Sequence, residues 1–401
     1  MWPNSPTQKN DVITDLDWTF SALGDVDPVA ADLLRIATAA YLSDRLTRRP
    51  KIGFSREIDL IVHAESPTTW RGDAGQTLVN LLAWISGDEW TLKVVRAKRQ
   101  SFTDQLLPVP PRKTIMLLSG GLDSFCGAVD HLGTAKSRLH VGHRDVAKST
   151  RHVQTLVGDW FTRQLPEFSW TRHEITQSAP KVEPSTRTRS LLFIAMAVAA
   201  ATGSGATSVI VPENGSTSMN VPILPSRGGA LSTKSTHPWT FHLVKQMLKA
   251  ANIPATVTNP YLNLTKGELL LRASKKAPKG FMDATGQTLS CSKLDGGRFK
   301  GGDPNLNCGI CIACLVRRGA FVANNMSDNT EYLIDRLKGN ARKKLIRQRH
   351  DDLWAIRVAQ DFDYTEDDLI ASAAWPQGTD LTKVLALVNR GRKELFDVPL
   401  P

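Results

Sequence analysis

The chain has 401 residues and a formal net charge of +11. Its composition is that of an ordinary globular protein, and its length allows two to three domains that each bury a core. No stretch has the layout of a secretory signal, and the longest apolar run, Leu191 to Ala201, has about half the length of a membrane span. We therefore expect a cytoplasmic protein that does not cross a membrane. The positive charge permits contact with nucleic acid, but it suits an enzyme that handles nucleotides equally well.

Residues 1–111 carry no glycine-rich motif and are predicted to form a small α/β module of unassigned role. The apolar periodicity predicts a helix, a strand, a second helix and a second strand, in that order: Pro28 to Leu46, Ile58 to His63, Gln76 to Ile85 and Trp90 to Val95. The sequence LPVPP at 107–111 is typical of a stiff linker. A domain boundary is therefore expected at residue 111.

Residues 112–287 alternate apolar segments of strand length with segments of helix length, which predicts an α/β domain with helices on both faces of a parallel sheet. The predicted strands are Thr114 to Leu118, Arg138 to Gly142, Thr171 to Ile175, Thr207 to Val211 and Ala255 to Thr258. The predicted helices between them are Ser124 to Leu132, Lys148 to Gln164, Thr188 to Thr202 and Pro238 to Ala251.

A glycine-rich turn, SGGLDS, joins the first strand of this sheet to its first helix. Gly120 and Gly121 let the backbone approach a ligand closely, and donors at the start of the helix favour an anion such as a phosphate. Asp123 would repel phosphate unless Mg2+ lies between them, so it is predicted to face the metal. A plain strand-to-helix connection is the alternative for any such turn, but the full hexapeptide favours a nucleotide. Its members are Ser119, Gly120, Gly121, Leu122, Asp123 and Ser124.

Polar residues follow the other predicted strands, and ligands of parallel sheets bind at the carboxyl ends of the strands. The residues expected in the same crevice as SGGLDS are His143, Arg144, Asp145, Arg187, Arg189, Glu213, Asn214 and Gly215. His143 is predicted to contact the nucleotide. Arg189 opposes the dipole of the helix that it begins, which indicates a bound anion, unless it is a solvated surface arginine. Glu213 would hold magnesium or a base edge, or lie exposed in its loop.

Four of the five cysteines fall in residues 288–325, which are predicted to form a zinc-binding segment. The predicted ligands are Cys291, Cys308, Cys311 and Cys314. Zinc takes four thiolates in a tetrahedron, and four thiolates leave no open position for catalysis, so the zinc would be structural. An iron–sulfur cluster is the alternative for cysteines at this spacing.

Residues 326–401 are predicted to form a basic helical tail. Its basic residues include Arg336, Lys338, Arg342, Lys343, Lys344, Arg347 and Arg349. Part of an apolar face would come from Leu345, Leu353, Ile356 and Val358. Such a charged face is usually solvated, but it is also typical of a surface that docks a protein or RNA partner.

Several segments resemble, in order, the 7-cyano-7-deazaguanine synthases (QueC-like proteins), a family of PP-loop ATP pyrophosphatases. The segments are SGGLDS at 119–124, RSLLFIAMAVAAA at 189–201, GATSVIV at 205–211, LTKGELL at 264–270, and TLSC with CGICIAC at 288–314. The sequence RRGAF at 317–321 also looks like the segment after the family's last cysteine. The resemblance covers roughly residues 112–325, and no Walker-type GK[ST] follows the glycines.

The resemblance implies a PP-loop fold, with ATP, Mg2+ and Zn2+ as cofactors and a 7-deazaguanine carboxylate as the small-molecule substrate. A ligase of this kind activates the carboxylate as an acyl-adenylate, forms an amide with ammonia, and uses a second ATP to give the nitrile. SGGLDS would then hold pyrophosphate, Asp123 would hold Mg2+, and Arg189 would stabilise negative charge near the reacting centre. Lys266 would neutralise phosphate, or else be a solvated lysine at a helix start.

The chain also departs from the family. The loop PENGSTSMNVPILPSRGG after the fourth strand differs from the family's substrate-reading loop, so residues that recognise the base are not assigned. The leading module and helical tail make the chain similar to QueC-like components of bacterial antiphage systems, such as Qat and some CBASS operons. There the implied acceptor is an amine of a partner protein from the same operon. Nucleic acid is possible but not favoured as a partner, and a homodimer stays open.

Two rival functions remain. A PP-loop enzyme that modifies transfer RNA would use the basic charge and predicts binding that weakens steeply with salt. A nucleotide-binding subunit without activity would keep the fold for assembly alone, but the retained Ser and Asp of SGGLDS speak against it.

Overall fold

The computed structural model describes residues 11–53, 55–97, 109–144, 147–223 and 234–401. The strands are β1 Val12–Thr14, β2 Glu57–Ala64, β3 Glu89–Arg96, β4 Thr114–Leu117, β5 Arg138–His143, β6 Trp170–His173, β7 Ile175–Gln177, β8 Ser208–Ile210 and β9 Thr256–Thr258. Helices α1 to α8 are Pro28–Leu46, Pro67–Arg71, Asp73–Ser86, Leu122–Asp130, Lys148–Gln164, Arg189–Ser204, Gly215–Ser218 and Pro238–Ala250. Helices α9 to α16 are Lys266–Ser274, Phe281–Gly286, Ile312–Val322, Leu333–Arg336, Gly339–Gln348, His350–Ala359, Glu366–Ser372 and Leu381–Phe396.

The central element is a five-stranded parallel sheet in the order β6-β5-β4-β8-β9. In the middle strand, Ile115 lies opposite Leu139 on one side and Val209 on the other. The central strands β4 and β5 are buried without alternation, because a parallel sheet covered on both faces buries both sets of side chains there. The α/β fold class, the parallel sheet and the flanking helices predicted from the sequence are confirmed.

Helices cover both faces of this sheet. One apolar core joins β4, β5, β8 and β9 to α6 and α8. The core on the opposite face is built from α4, α5, α9, α10 and α11. The middle strand supplies both cores, since Ile115 points into the first and Met116 into the second.

The third predicted strand, Thr171 to Ile175, divides into two strands in the structure. β6 stays in the parallel sheet, whereas β7 pairs antiparallel with β1. Asp15 accepts hydrogen bonds from the Glu174 amide and from Arg144, and thereby fixes the break between the two strands. Apolar periodicity does not reveal this change because it does not identify the partner of a strand.

The described part of the leading segment, residues 11–53 and 55–97, shares a core with the sheet domain. Helix α1 packs on α6 and α3 packs on α8, within the same apolar cluster as the sheet strands. Gly203 lets α6 approach the segment before α1, since a Cβ there would lie 2.2 Å from the Leu23 carbonyl oxygen. The buried Asp44 of α1 accepts hydrogen bonds from the amides of Arg187 and Thr188, directly before α6. The linker at residue 111 therefore separates segments of the chain but not two cores.

The tail packs against the cysteine segment and against α7, α9 and α11. Three of its predicted apolar residues, Leu345, Leu353 and Ile356, are buried as expected. Val358, by contrast, is 38% exposed. It lies five residues after Leu353, which places it on a different face of α14 in a helix of about 3.6 residues per turn. The solvent-exposed face of the tail therefore includes Val358, which was predicted to lie on the apolar face.

Among the described residues, no helix combines the length and the apolar character that crossing a membrane requires.

Candidate nucleotide site and metal centre

The SGGLDS turn lies at the carboxyl end of the central strand β4 and leads directly into α4. Its hydroxyls bond to one another: Ser119 Oγ lies 3.0 Å from Ser124 Oγ and accepts from the Gly121 amide at 3.2 Å. Ser124 Oγ also lies 3.1 Å from the Gly121 carbonyl oxygen. The turn is thus closed by its own side chains, and the first amides of α4 have no partner within the helix because no turn precedes them.

Gly120 has φ = 92°, a conformation that residues with a Cβ rarely adopt. Its carbonyl accepts a hydrogen bond of 3.1 Å from the amide of Leu289, two residues before Cys291. On the other side, Gln154 of α5 donates to the carbonyls of Ser119 and His143. The turn is therefore held between β5 and the start of the cysteine segment.

Asp123 is the centre of a buried polar cluster. Its Oδ1 lies 2.5 Å from Nζ of Lys266, and its Oδ2 accepts from Nδ2 of Asn214 at 2.7 Å. Burial opposes ionisation of Asp123, but the Lys266 ammonium and the Asn214 amide outweigh it and hold the pKa of Asp123 below its usual value. The predicted catalytic residues Asp123 and Lys266 are thus in direct contact, although they lie far apart in the sequence.

Glu213 also contacts the Asp123 carboxylate. Burial and the negative charge of Asp123 raise the pKa of Glu213 to about 8. The raised pKa of Glu213 and the lowered pKa of Asp123 favour one proton held between the two carboxyl groups near neutral pH, with Lys266 compensating the remaining charge. Asp123 and Glu213 provide the hard oxygen ligands that Mg2+ prefers.

Local sequence explains why these partners lie at helix starts. Asn214 caps α7, where its Oδ1 accepts from the Thr217 amide. Thr265 caps α9 and forms a reciprocal capping box with Glu268, so that Lys266 is the first residue of the helix. Both helices begin after strands of the sheet, which brings Asn214 and Lys266 to the end where Asp123 lies.

Arg189 and His143 both pack against Phe193. The Arg189 side chain is exposed and its guanidinium lies 5.5 Å from the ring centre of Phe193. The ring of His143 is buried, packs against Phe193 and Tyr41, and has Nε2 2.8 Å from the Ile175 carbonyl oxygen. The imidazole is therefore enclosed by protein, and contact of His143 with a nucleotide stays a prediction. Asp145 lies outside the described residues.

The chain matches no model of a known protein family, and no curated protein is significantly similar to it.

The four cysteines of the predicted zinc segment come together and are buried. All four sulfurs lie within 4.8 Å of one another, and the Cys291–Cys311 and Cys308–Cys314 sulfur pairs are 3.9 Å apart. In a tetrahedron with zinc–sulfur bonds of about 2.3 Å, the sulfurs are about 3.8 Å apart, so these distances fit zinc. The predicted clustering of the four cysteines is confirmed, and their sulfurs are positioned to hold a metal ion.

The local fold brings the two cysteine segments together. Asn307 Oδ1 accepts from the amides of Ser290 and Cys291, and its Nδ2 donates to the carbonyl of Thr288. Gly309 has φ = 87° and no room for a Cβ, which would lie 2.7 Å from Ile334. The cysteines therefore reach one point because one amide side chain crosses between the segments and one glycine makes the turn.

Two buried arginines, Arg317 and Arg349, lie in the segments that carry or contact the cysteines. Arg317 is fully buried and donates to oxygens of Thr285, Thr288 and Thr330, with no carboxylate among the partners described for it. Arg349 lies against Cys308 and forms a 2.5 Å ion pair with Asp295; although burial opposes its charge, these contacts raise the pKa of Arg349. Four thiolates around zinc carry a net charge of about −2, which such cations compensate.

The sequence left four residues of the nucleotide site unassigned. Gln154 lies in the middle of a helix and carries no pattern of its own. Thr265 and Glu268 had a readable signal, since a Thr three residues before a Glu is typical of a capping box. Glu394 of the tail contacts Thr265, but no local pattern connects it with a site 129 residues away.

Glu213 makes stability depend on pH. The pKa of Glu213 in the folded state, about 8, lies above its ordinary value of 4.5. Between these two pH values the folded state therefore binds more protons than the unfolded state. The free energy of unfolding should therefore fall as pH rises from about 5 to 8.5, and Glu213→Gln should remove on the order of 2 kcal/mol of this fall. Urea unfolding at several pH values measures it. The exposed Glu57→Gln is the control and should keep the wild-type slope; an unchanged slope in Glu213→Gln would refute the shared proton.

Proposed function

We propose that this protein cleaves ATP to AMP and pyrophosphate in order to activate a carboxylate. One observation carries the proposal: a glycine-rich turn at the end of the central strand meets a largely buried cluster of Asp123, Glu213, Asn214 and Lys266. Backbone amides at the start of a helix, together with serine hydroxyls that can exchange their present partners, suit phosphate oxygens. A carboxylate pair with a lysine at the same place suits a metal–phosphate complex.

The residues of the site would bind different parts of the ATP–Mg2+ complex according to their charge. The amides after Gly121 and the hydroxyls of Ser119 and Ser124 would bind the β- and γ-phosphates, which leave together as pyrophosphate. Lys266 would move part of its interaction from Asp123 to a phosphate oxygen when ATP binds. Its charge then offsets the negative charge that develops on pyrophosphate as the bond to the α-phosphorus breaks.

Asp123 and Glu213 would hold Mg2+, with loss of the proton that they share. The ion supplies charge neutralisation at the phosphate oxygens when it is bound. The two carboxylates would fix its position relative to the turn, because Asp123 is buried, Glu213 contacts it and Asn214 orients Asp123. Lys266 limits the excess of negative charge before the ion arrives.

The resemblance to 7-cyano-7-deazaguanine synthases supplies the substrate in this proposal, namely 7-carboxy-7-deazaguanine. An oxygen of its carboxylate attacks the α-phosphorus, and pyrophosphate leaves. An amine nitrogen then attacks the acyl carbon, loses a proton and expels AMP, which is a far better leaving group than oxide. With ammonia the product is an amide, and a second ATP can take the amide oxygen away as AMP to leave a nitrile and two protons.

The acceptor of the acyl group distinguishes biosynthesis from defence. We propose an amine of a partner protein from the same operon, as in the antiphage systems to which the chain is similar. The test is mass spectrometry of the full chain incubated with ATP, Mg2+, 7-carboxy-7-deazaguanine and either ammonium or purified products of the neighbouring genes. A deazaguanine acyl mass on a neighbouring protein supports this acceptor. Free nitrile as the sole product in both incubations would refute it.

A second candidate, modification of transfer RNA, is favoured by the basic helix α13. Its Arg342, Lys343, Lys344 and Arg347 are exposed, and the helix contains no acidic residue. This function predicts transfer RNA binding whose affinity falls steeply between 50 and 200 mM salt, on the order of a thousandfold for six phosphate contacts. It also predicts AMP release that requires the RNA.

A further inference from the structure

The last helix, α16, packs unusually closely against the elements of the nucleotide site. It lies on α7, α9 and α11. A Cβ added to Gly319 of α11 would lie 2.3 Å from the Glu394 carbonyl oxygen, and one added to Gly391 of α16 would lie 2.5 Å from Cβ of Ser216. Glycines at both contacts let the helix backbones approach more closely than other residues would permit.

Glu394 of α16 bonds to the first turn of α9 with both carboxylate oxygens. One oxygen accepts from the Thr265 hydroxyl, and the other accepts from the Gly267 amide at 3.0 Å. Thr265 is the cap of α9, and Lys266 lies between the two bonded residues. The carboxylate thus fixes the backbone on both sides of the lysine that contacts Asp123. A negative charge at this end of the helix is also favourable for the helix dipole.

The second contact of α16 leads to the other partner of Asp123. Ser216, which faces Gly391, donates to Oδ1 of Asn214 at 2.8 Å. The same Asn214 donates from Nδ2 to Asp123. One helix therefore sets the starting points of both α7 and α9, which supply the amide and the ammonium that hold the Asp123 carboxylate.

We propose that α16 is part of the scaffold of the nucleotide site, with Glu394 as a positioning residue for Lys266 and Gly391 as the contact that sets Asn214. The expected effect of α16 on the reaction rests on the proposed function. The expected effect of α16 on the positions of α7 and α9 does not. It assigns the end of the tail to the reaction site, in addition to any docking role of the basic surface.

The first test replaces one carboxylate. In Glu394→Gln the amide oxygen can accept only one of the two hydrogen bonds, so Lys266 is held less firmly. We expect kcat for pyrophosphate release to fall about tenfold and KM for ATP to change less than about threefold, because positioning acts on the transition state. The matched control is Asp397→Asn at the exposed end of the same helix, which should keep the wild-type kcat.

The second test uses the helix contact. Gly391→Ala improves the intrinsic helix propensity of α16, yet its Cβ should push Ser216 away and lower kcat. Ser216→Gly removes the opposing Cβ. The kcat of the double variant Gly391→Ala/Ser216→Gly should therefore rise from the value of Gly391→Ala at least halfway to the value of Ser216→Gly. A double variant as inactive as Gly391→Ala would show that this contact does not set the site.

A third measurement does not depend on the reaction. Amide hydrogen exchange of the ligand-free protein should become faster at residues 266–270 in Glu394→Gln than in Asp397→Asn, with thermal midpoints within a few degrees of each other. If the wild type releases no pyrophosphate but this difference is found, the proposed function fails and the scaffold role stands. If Glu394→Gln has the same exchange rates and the same kcat as the control Asp397→Asn, the inference is overturned.

Discussion

Replacing Asp123 with asparagine is expected to lower the rate of pyrophosphate release at least about a thousandfold, the largest effect of any single substitution in this site. The variant keeps the size of the side chain and an oxygen acceptor for Asn214. It loses the negative charge that pairs with Lys266 at 2.5 Å and that would hold Mg2+. Release of labelled pyrophosphate from ATP in the presence of the carboxylate substrate measures the effect.

The control for this substitution is Asp130→Asn on the same helix. Asp130 is also buried, and it is paired with Arg272 and Lys276 away from the turn. Both variants leave cations without a carboxylate partner, so the free energy of unfolding should fall in both. The fall should be about 3 kcal/mol where the ion pair is buried. Asp130→Asn should lose activity only in proportion to the protein that unfolds. Asp123→Asn should lose much more activity than unfolding explains. Equal activities of the two folded variants would show that Asp123 has no part in the chemistry.

Loss of a single cysteine ligand is expected to remove the metal and much of the stability of the second half of the chain. The native protein should contain one zinc per chain. Cys311→Ser should bind less than a tenth of that amount and lower the free energy of unfolding by several kcal/mol, because binding of a structural zinc contributes directly to folding. Elemental analysis of protein purified without chelators, together with urea unfolding, measures both quantities.

Cys126→Ser serves as the control, since Cys126 is buried on α4 outside the cluster. It should retain the zinc. Iron with acid-labile sulfide and visible absorbance in the native protein would instead establish the iron–sulfur alternative. Full zinc content in Cys311→Ser would show that the four cysteines are not the ligands.

The sequence was most informative where structure is local. The strands from Thr114 to Thr258 were predicted within a few residues, because apolar runs bounded by glycines and polar turns are typical of a buried parallel sheet. The strand pairing of β7 with β1 was missed, since its two partners lie more than 160 residues apart. The common core of α1 and α6 was missed for the same reason: the LPVPP linker separates them in sequence, but nothing local shows which faces pack together.

The same distinction holds within the candidate sites. SGGLDS and CGICIAC were recognisable because each places several functional residues within seven positions. The contact of Lys266 with Asp123 joins residues 143 apart, and the Glu394 contact with Thr265 spans 129. No periodicity or spacing relates such residues, so only their position at the end of the sheet brings them together. Arg189 illustrates the converse, because its place at a helix start was predicted correctly, whereas its packing on Phe193 depends on the fold.

The most direct test of the central claim follows a carboxylate oxygen through the reaction. The full chain is incubated with ATP, Mg2+ and 7-carboxy-7-deazaguanine whose carboxylate carries 18O, and the AMP is analysed by mass spectrometry. If the carboxylate attacks the α-phosphorus, AMP formed on acyl transfer carries one 18O atom and pyrophosphate carries none. AMP without 18O, or ADP and phosphate in its place, would contradict activation of the carboxylate as an acyl-adenylate.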